Sequence, residues 1–302
     1  MAKPDVHSIV ILNYNDYEST STIIDKIHGY NTIDNIVVVD NMSKDDSFDK
    51  LLKVYGQRDK LHIIRTDKNG GYAYGNHWGC MYAINKLCSA YITIANPDVY
   101  FTEEVLRKQL DFLAHHNDVG AVTSRMVCKS GIDLPVAWKT PRYRDCLLEN
   151  LMILRKLVGD RTRYSDSYLK QETVQVDALP GSFFSISSEA YLAVSGFDLN
   201  TFLYYEENIL AKKLRDKGYR NYLLGMDSYD HMHSVSINNS FRSVGKKLKI
   251  AYKSREYYVS EYLKVNSLAL AVLRITFYVG LVDYSIVNFI RSKCKAARKA
   301  RF

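Results

Sequence analysis

Residues 89–101 read SAYITIANPDVYF. Tyr91, Ile92, Thr93 and Ile94 are aromatic or β-branched, the composition of a buried strand, and the run then stops on Asn96-Pro97-Asp98. A strand ending on proline and a lone carboxylate is either an Asx-Pro turn ahead of a helix capped by Thr102, or a metal ligand held over the end of a sheet. The flanking pattern decides what kind of sheet it is. Apolar runs recur at 8–12, 35–40, 61–65 and 121–127, and helical periodicity fills 17–27, 47–55, 75–88 and 102–115. This alternation predicts an α/β fold with a mostly parallel sheet covered by helices on both faces. Such sheets bind ligands beyond the carboxyl ends of their strands. Asn13-Tyr14-Asn15, Asp40-Asn41 and Asn96-Pro97-Asp98 occupy those positions.

The chain has 302 residues, 47% of them apolar, enough for a sizeable core and too many for global disorder. The N-terminus runs directly into an apolar strand, without the charged lead and long apolar stretch of a secretory signal. Five cysteines without CxxC spacing argue against a disulfide framework or a zinc site and for a reducing compartment. The net charge of +8 is uneven. Residues 241–302 hold fourteen Lys and Arg against three acids, +11, which leaves −3 on the first 240. The basic character belongs to the tail and not to the chemistry of the body.

Lys68–Cys80, KNGGYAYGNHWGC, places Gly70, Gly71, Gly75 and Gly79 at the start of a helix. These residues suit either close approach to a phosphate or tight packing of the helix. Asp40 ends IVVVD and can accept hydrogen bonds from a ribose or base, with Ser43 or Asp45 capping the next helix in its place. Asp98 beside Asn96 fits the incomplete carboxylate set of a hard cation completed by substrate phosphates. His231 and His233, two apart, share one face if the segment is a strand, and can ligate a metal or pair with Asp227 and Asp230. Glu206 and Glu207 open a helix whose far end is rich in Lys and Arg. They complement its dipole or act as a general base. VDALPGSFFSIS, 176–187, reads as a strand pair, and 135–179 as less regular.

Taken in order, NYN (13–15), VVVDNMSKDDS (37–47), NGGYAYGNHWG (69–79), ANPDV (95–99), GSFF (181–184), GFDLNTFLYYEEN (196–208) and HMHSVS (231–236) resemble a family-2 glycosyltransferase of the GT-A fold, a Rossmann-like sheet flanked by helices. The match runs over 6–236 and most resembles the branch that builds bacterial cell-surface polysaccharides, which includes rhamnosyltransferases. The resemblance implies residue roles. Asn15 and Asp40 hold the nucleotide, and Asn69, Gly71, Gly75, Asn76 and Asn96 line the donor site. Asp98, with His231 or His233, binds a divalent metal, Mg²⁺ or Mn²⁺. Glu207 is the catalytic base, supported by Glu206. Trp138, Gly181, Ser182 and Tyr205 belong to the acceptor side. Asn96 stands where the family's Asp-x-Asp motif has its first acid, and Glu207 where it usually has Asp.

The implied reaction is an inverting transfer of rhamnose or a hexose, from dTDP-rhamnose or a UDP-hexose, to a saccharide or lipid-linked saccharide. Two rivals are a nucleotidyltransferase, which would need more acids around its metal than Asp98 supplies, and an inactive sugar-binding scaffold, which Asn96 favours. Residues 1–240 would form the catalytic domain and 241–302 a basic amphipathic helical segment. Within it, 265–290 is apolar but carries Arg274 and Asp283 and is followed by RSKCKAARKARF. That composition suits an interfacial anchor on an anionic membrane better than a span. It places the protein in the cytoplasm, peripheral on the inner face of the cell membrane. The alternative is helices packed on the body or in a homodimer. A nucleic-acid partner would leave the apolar stretch unexplained.

Overall fold

The computed structural model describes residues 5–129, 134–232 and 244–299. Among them, nine strands form one sheet: β1 (His7–Asn13), β2 (Asn35–Asp40), β3 (Leu61–Arg65), β4 (Tyr91–Ala95), β5 (Val99–Tyr100), β6 (Val119–Cys128), β7 (Thr173–Val176), β8 (Phe183–Ser187) and β9 (Arg220–His231). Their order is β3-β2-β1-β4-β8-β6-β9-β5, with β7 also on β9. The first four strands in this order that follow the alternating pattern, β3, β2, β1 and β4, pair in parallel, whereas β8 inserts antiparallel between β4 and β6. The expected pairing within 176–187 is corrected here: β7 and β8 are strands, but β7 pairs with β9 and β8 with β4 and β6.

The helices between strands are α1 (Tyr17–Ile27), α2 (Ser47–Tyr55), α3 (Tyr72–Leu87) and α4 (Glu103–His115). Side chains alternate across each strand. Ile9, Ile11, Ile36 and Val38 therefore pack against Ile23 and Ile24 of α1 and Leu51 of α2. Val10, Val37 and Val39 pack on the opposite face against Ala73, Cys80 and Ala83 of α3. Burial on both faces is why these strands read as unbroken apolar runs. Thr102 caps α4, its hydroxyl accepting the Val105 N–H at 3.4 Å, as expected.

Beyond β6 come α5 (Tyr143–Asn150), α6 (Met152–Val158), α7 (Asp166–Leu169), α8 (Ser188–Ala193) and α9 (Glu206–Asp216). The C-terminal helices are α10 (Val244–Tyr257), a π-helical turn (Tyr258–Tyr262) and α11 (Ser267–Lys299). Tyr252, Tyr258, Val259, Leu273 and Phe277 share a buried cluster with Cys146 of α5, Tyr205 just before α9 and Ile209 within it. The C-terminal helices thus pack against the segment that carries the two glutamates. Because β2 and β4 flank β1 on opposite sides, the chain reverses direction across the sheet there, opening a crevice at the tips of β1 and β4.

Candidate active site

The tip of β2 is a closed polar network. Asp40 is fully buried, accepting from Asn13 Nδ2 at 2.8 Å and from the Ser43 N–H at 3.0 Å, and pairing with Arg65 Nε at 3.1 Å. This corrects the expectation of a carboxylate left open for a ribose: the next strand ends on Arg65, whose cation claims it. Asp40 therefore shapes the crevice floor. The cap expected from Ser43 or Asp45 falls to neither. Asp46 is the N-cap of α2, without a side-chain bond, while Asp45 accepts the Ser47 N–H. Asn15 is exposed, has left-handed backbone (φ 51°), and clamps the facing loop by accepting the Lys44 N–H at 2.7 Å.

Asn41, singled out in the sequence only as a strand-end position, ties this tip to the glycine-rich loop, donating to Asn69 Oδ1 at 3.1 Å and to the Gly71 carbonyl at 3.0 Å. Gly71 has φ 94°, and a Cβ there would lie 1.9 Å from the Phe202 carbonyl oxygen. The loop needs glycine because it docks backbone to backbone on the segment before Glu206, where the Tyr72 N–H donates to that same carbonyl. Gly75 and Asn76 are corrected as surface-lining residues. Both are buried, Gly75 against Leu12 of β1, so they seat α3 on the sheet. Asn76 Nδ2 caps the Tyr72 carbonyl, and its Oδ1 is buried with no hydrogen-bond partner among the described residues.

Asp98 follows β4 and is nine-tenths buried. Its Oδ1 stands 3.3 Å from Nε2 of His231, the last residue of β9, because β5 pairs Val99 with His231. The resemblance implied Asp98 beside His231 or His233, and Asp98 and His231 meet although 133 positions apart. His233 lies outside the described residues. Among these, no group of three or more His, Cys, Asp or Glu gathers as a complete metal site.

Glu206 and Glu207 open α9 directly after two residues with left-handed backbone, Tyr204 (φ 71°) and Tyr205 (φ 72°). Such conformations cost about 1–3 kcal/mol each and persist only where the surroundings hold them. Here Ser254 Oγ donates to the Leu203 carbonyl at 2.9 Å and the Tyr205 hydroxyl to Glu149 at 2.6 Å. Burial raises the pKa of both glutamates. It raises Glu206 far above the ordinary range, with the charge of Glu207 adding to the effect, and Glu206 Oε2 has no hydrogen-bond partner among the described residues. The backbone N–H groups of Gly181 and of Glu207 itself offset part of the rise at Glu207. Glu206 is therefore the neutral member of the pair and Glu207 the one that ionises. Tyr72, also missed, fixes the opposite side of Gly181 by donating to its carbonyl at 2.5 Å.

The dipeptide Gly181-Ser182 joins the two centres. Gly181 lies against Glu207, and the Ser182 carbonyl accepts the Asn96 N–H at 2.8 Å, two residues before Asp98. Ser182 itself is buried, its hydroxyl 2.8 Å from that of Tyr229, and Tyr205 is buried in the C-terminal cluster. Neither side chain presents a wall to an acceptor, which corrects that expectation: both are consumed in holding backbone. Trp138 is half-buried and donates from its indole to Asn208 Oδ1 at 2.8 Å, over the first turn of α9.

A mixed sheet covered on both faces, with an acid at the tip of its fourth strand and a glutamate pair across a short strap, is the GT-A architecture. The chain belongs to glycosyl transferase family 2, whose family model matches residues 8–166. It is 28% identical over 200 residues to the low-salt glycan biosynthesis hexosyltransferase Agl10 of Haloferax volcanii, an alignment covering 66% of this chain and 58% of that one. The chain thus spans less than two thirds of the length of that relative. Among solved structures, it superposes on S. aureus TarS 1-349 in complex with UDP-GlcNAc (TM-score 0.57, 14% identity, 92% of this chain and 80% of the other). It also superposes on the mannosyltransferase PcManGT from Pyrobaculum calidifontis in complex with GDP-Man and Mn²⁺ (TM-score 0.55, 14% identity, 100% and 85%). These likenesses establish the fold.

Proposed function

We propose that the protein is an inverting glycosyltransferase that moves rhamnose or a hexose from a nucleoside-diphosphate sugar to a hydroxyl of a saccharide or lipid-linked saccharide, on the cytoplasmic side of a membrane, in the building of a surface glycan. Family membership supports the reaction class. The hexosyltransferase relative and the UDP-GlcNAc and GDP-Man bound to neighbouring folds support the donor class. The observation that carries the reading is the Gly181-Ser182 strap, which fastens the Glu207 carboxylate and the Asn96–Asp98 turn to one another.

In this reading Glu207 accepts the proton of the attacking hydroxyl. Asp98 and His231, a carboxylate oxygen and an imidazole nitrogen 3.3 Å apart at the sheet tip, fit a divalent ion that completes its shell with diphosphate oxygens. Such an ion supplies positive charge to the leaving nucleoside diphosphate. The test is nucleoside-diphosphate release across a panel of UDP-, dTDP- and GDP-sugars, with Mg²⁺, Mn²⁺ or chelator. Release with one donor, dependent on Glu207, supports the reading. Donor binding without release under any metal favours the sugar-binding scaffold instead.

A further inference from the structure

Two helices leave apolar side chains in solvent on adjoining surfaces. On α6, Leu157 is 79% exposed and Val158 is also exposed. On α11, Leu268 (75% exposed), Ile275, Val279 and Val282 form a stripe. The helices pack side by side, and the first turn of α6 is fastened to α11 by the Ile153 N–H donating to Asp283 at 2.9 Å. Both carry cations: Lys156 within α6, beside an Arg155 paired with Asp160 at 2.5 Å, and five Lys and Arg between 291 and 299 at the end of α11. We propose that the outward faces of α6 and α11 together form a docking surface for an anionic lipid bilayer, with α11 lying in the plane of the interface.

The segment Ser267–Val287 is long and apolar enough to cross a membrane, with mean hydropathy 1.6. Its attachment to the body favours a placement along the interface instead. Tyr143 donates to the Ala269 carbonyl, Asn150 to the Leu273 carbonyl and Thr276, and Leu273 and Phe277 are buried in the C-terminal cluster. From Ala269 to Asp283, roughly 20 Å of helix, one side is bound to a polar catalytic body. A helix held on one side in this way is suited to sinking its other face into the headgroup region.

The α11 stripe repeats in steps of three and four, which a second copy of the chain can also use. Charge decides between the two. From 257 to 302 the only acids are Glu261 and Asp283, and Asp283 already holds α6. A second copy that met this stripe with its own α11 would bring only those two acids to the basic run, whereas anionic headgroups answer every cation in it. The surface also lies on the unit that packs against Tyr205 and Ile209 beside the glutamate pair, which suits a lipid-linked acceptor. The inference itself rests on exposure and charge, so lipid binding and sugar transfer can fail independently.

The full chain is floated with vesicles of phosphatidylcholine alone and with about one third phosphatidylglycerol. Binding is expected only to the anionic vesicles. Two variants, Leu157→Ser/Val279→Ser/Val282→Ser and Arg291→Gln/Lys293→Gln/Lys295→Gln, should each weaken it at least ~10-fold. Tyr278→Trp, at an exposed position, should shift its fluorescence to the blue on anionic vesicles. The proposal is overturned if the serine variant keeps the parent melting temperature and floats equally well. It is also overturned if alkaline carbonate fails to extract the parent, the mark of a span, or if the serine change converts a dimer to a monomer and leaves flotation untouched.

Discussion

A methyl group on Gly181 would stand 2.9 Å from Oε1 of Glu207. The strap between the two centres is therefore also a gauge that sets where the carboxylate sits. Gly181→Ala should push the carboxylate away while leaving the sheet intact, because the clash meets the end of a flexible side chain. We expect turnover to fall about 10-fold or more, with a melting temperature within a few degrees of the parent, as read by nucleoside-diphosphate release and thermal unfolding.

Glu207→Gln should bind donor and lose at least ~10² in turnover. Glu206→Gln should stay within about 10-fold of the parent, since an amide imitates the neutral acid that burial enforces there. The pH profile carries the sign. Burial raises the Glu207 pKa, and a base works only when ionised, so activity is present above that raised pKa and falls as pH drops through it. The acid limb should lie above 4.5, the ordinary value, and a limb at or below it would remove Glu207 from the role.

Gly71→Ala should disturb both stability and donor affinity. The new Cβ meets backbone, the Phe202 carbonyl, at a left-handed φ that alanine resists. A loss of about 2–3 kcal/mol in urea unfolding is expected, together with weaker nucleotide binding by calorimetry.

His7 governs part of the acid stability. Its ring is buried between the Thr32 carbonyl and Thr93 Oγ1, each at 2.8 Å, and desolvation lowers its pKa from 6.5 to about 4. The unfolded chain takes up this proton first as pH falls. Stability is therefore whole above 6.5 and drains between 6.5 and 4, by roughly 3 kcal/mol. His7→Gln should flatten that interval in denaturant melts across pH.

Arg255 pairs with Glu149 at 2.8 Å and donates to the Tyr205 hydroxyl at 3.1 Å, almost out of reach of water. Arg255→Met would leave Glu149, about one fifth exposed, with only the Tyr205 hydroxyl as partner, at a cost of about 3 kcal/mol. Adding Glu149→Gln should recover a large part of that loss, and absence of recovery would mean the arginine acts by packing alone.

Much of the parallel half was legible in the chain. α1 and α2 fall where periodicity puts them, at Tyr17–Ile27 and Ser47–Tyr55, and β2, β3 and β4 begin and end as read. Helix and strand periods are local, and burial on both faces writes itself as consecutive apolar residues. The Asn96-Pro97-Asp98 stop and the Glu206-Glu207 pair were visible for the same reason, as polar residues where an apolar pattern ends. Partnership was not visible. That Arg65 would claim Asp40, that β8 would enter antiparallel beside β4, that Tyr205 would turn into the C-terminal cluster, and that Gly181 would hold Glu207 all depend on residues tens of positions apart. A hydrogen bond or a close contact is satisfied by whatever geometry brings near, and no period in the chain records it. The sequence by itself determined the layers and the acids; only the tertiary structure decided which of those acids is claimed by a partner in the fold, as Arg65 claims Asp40.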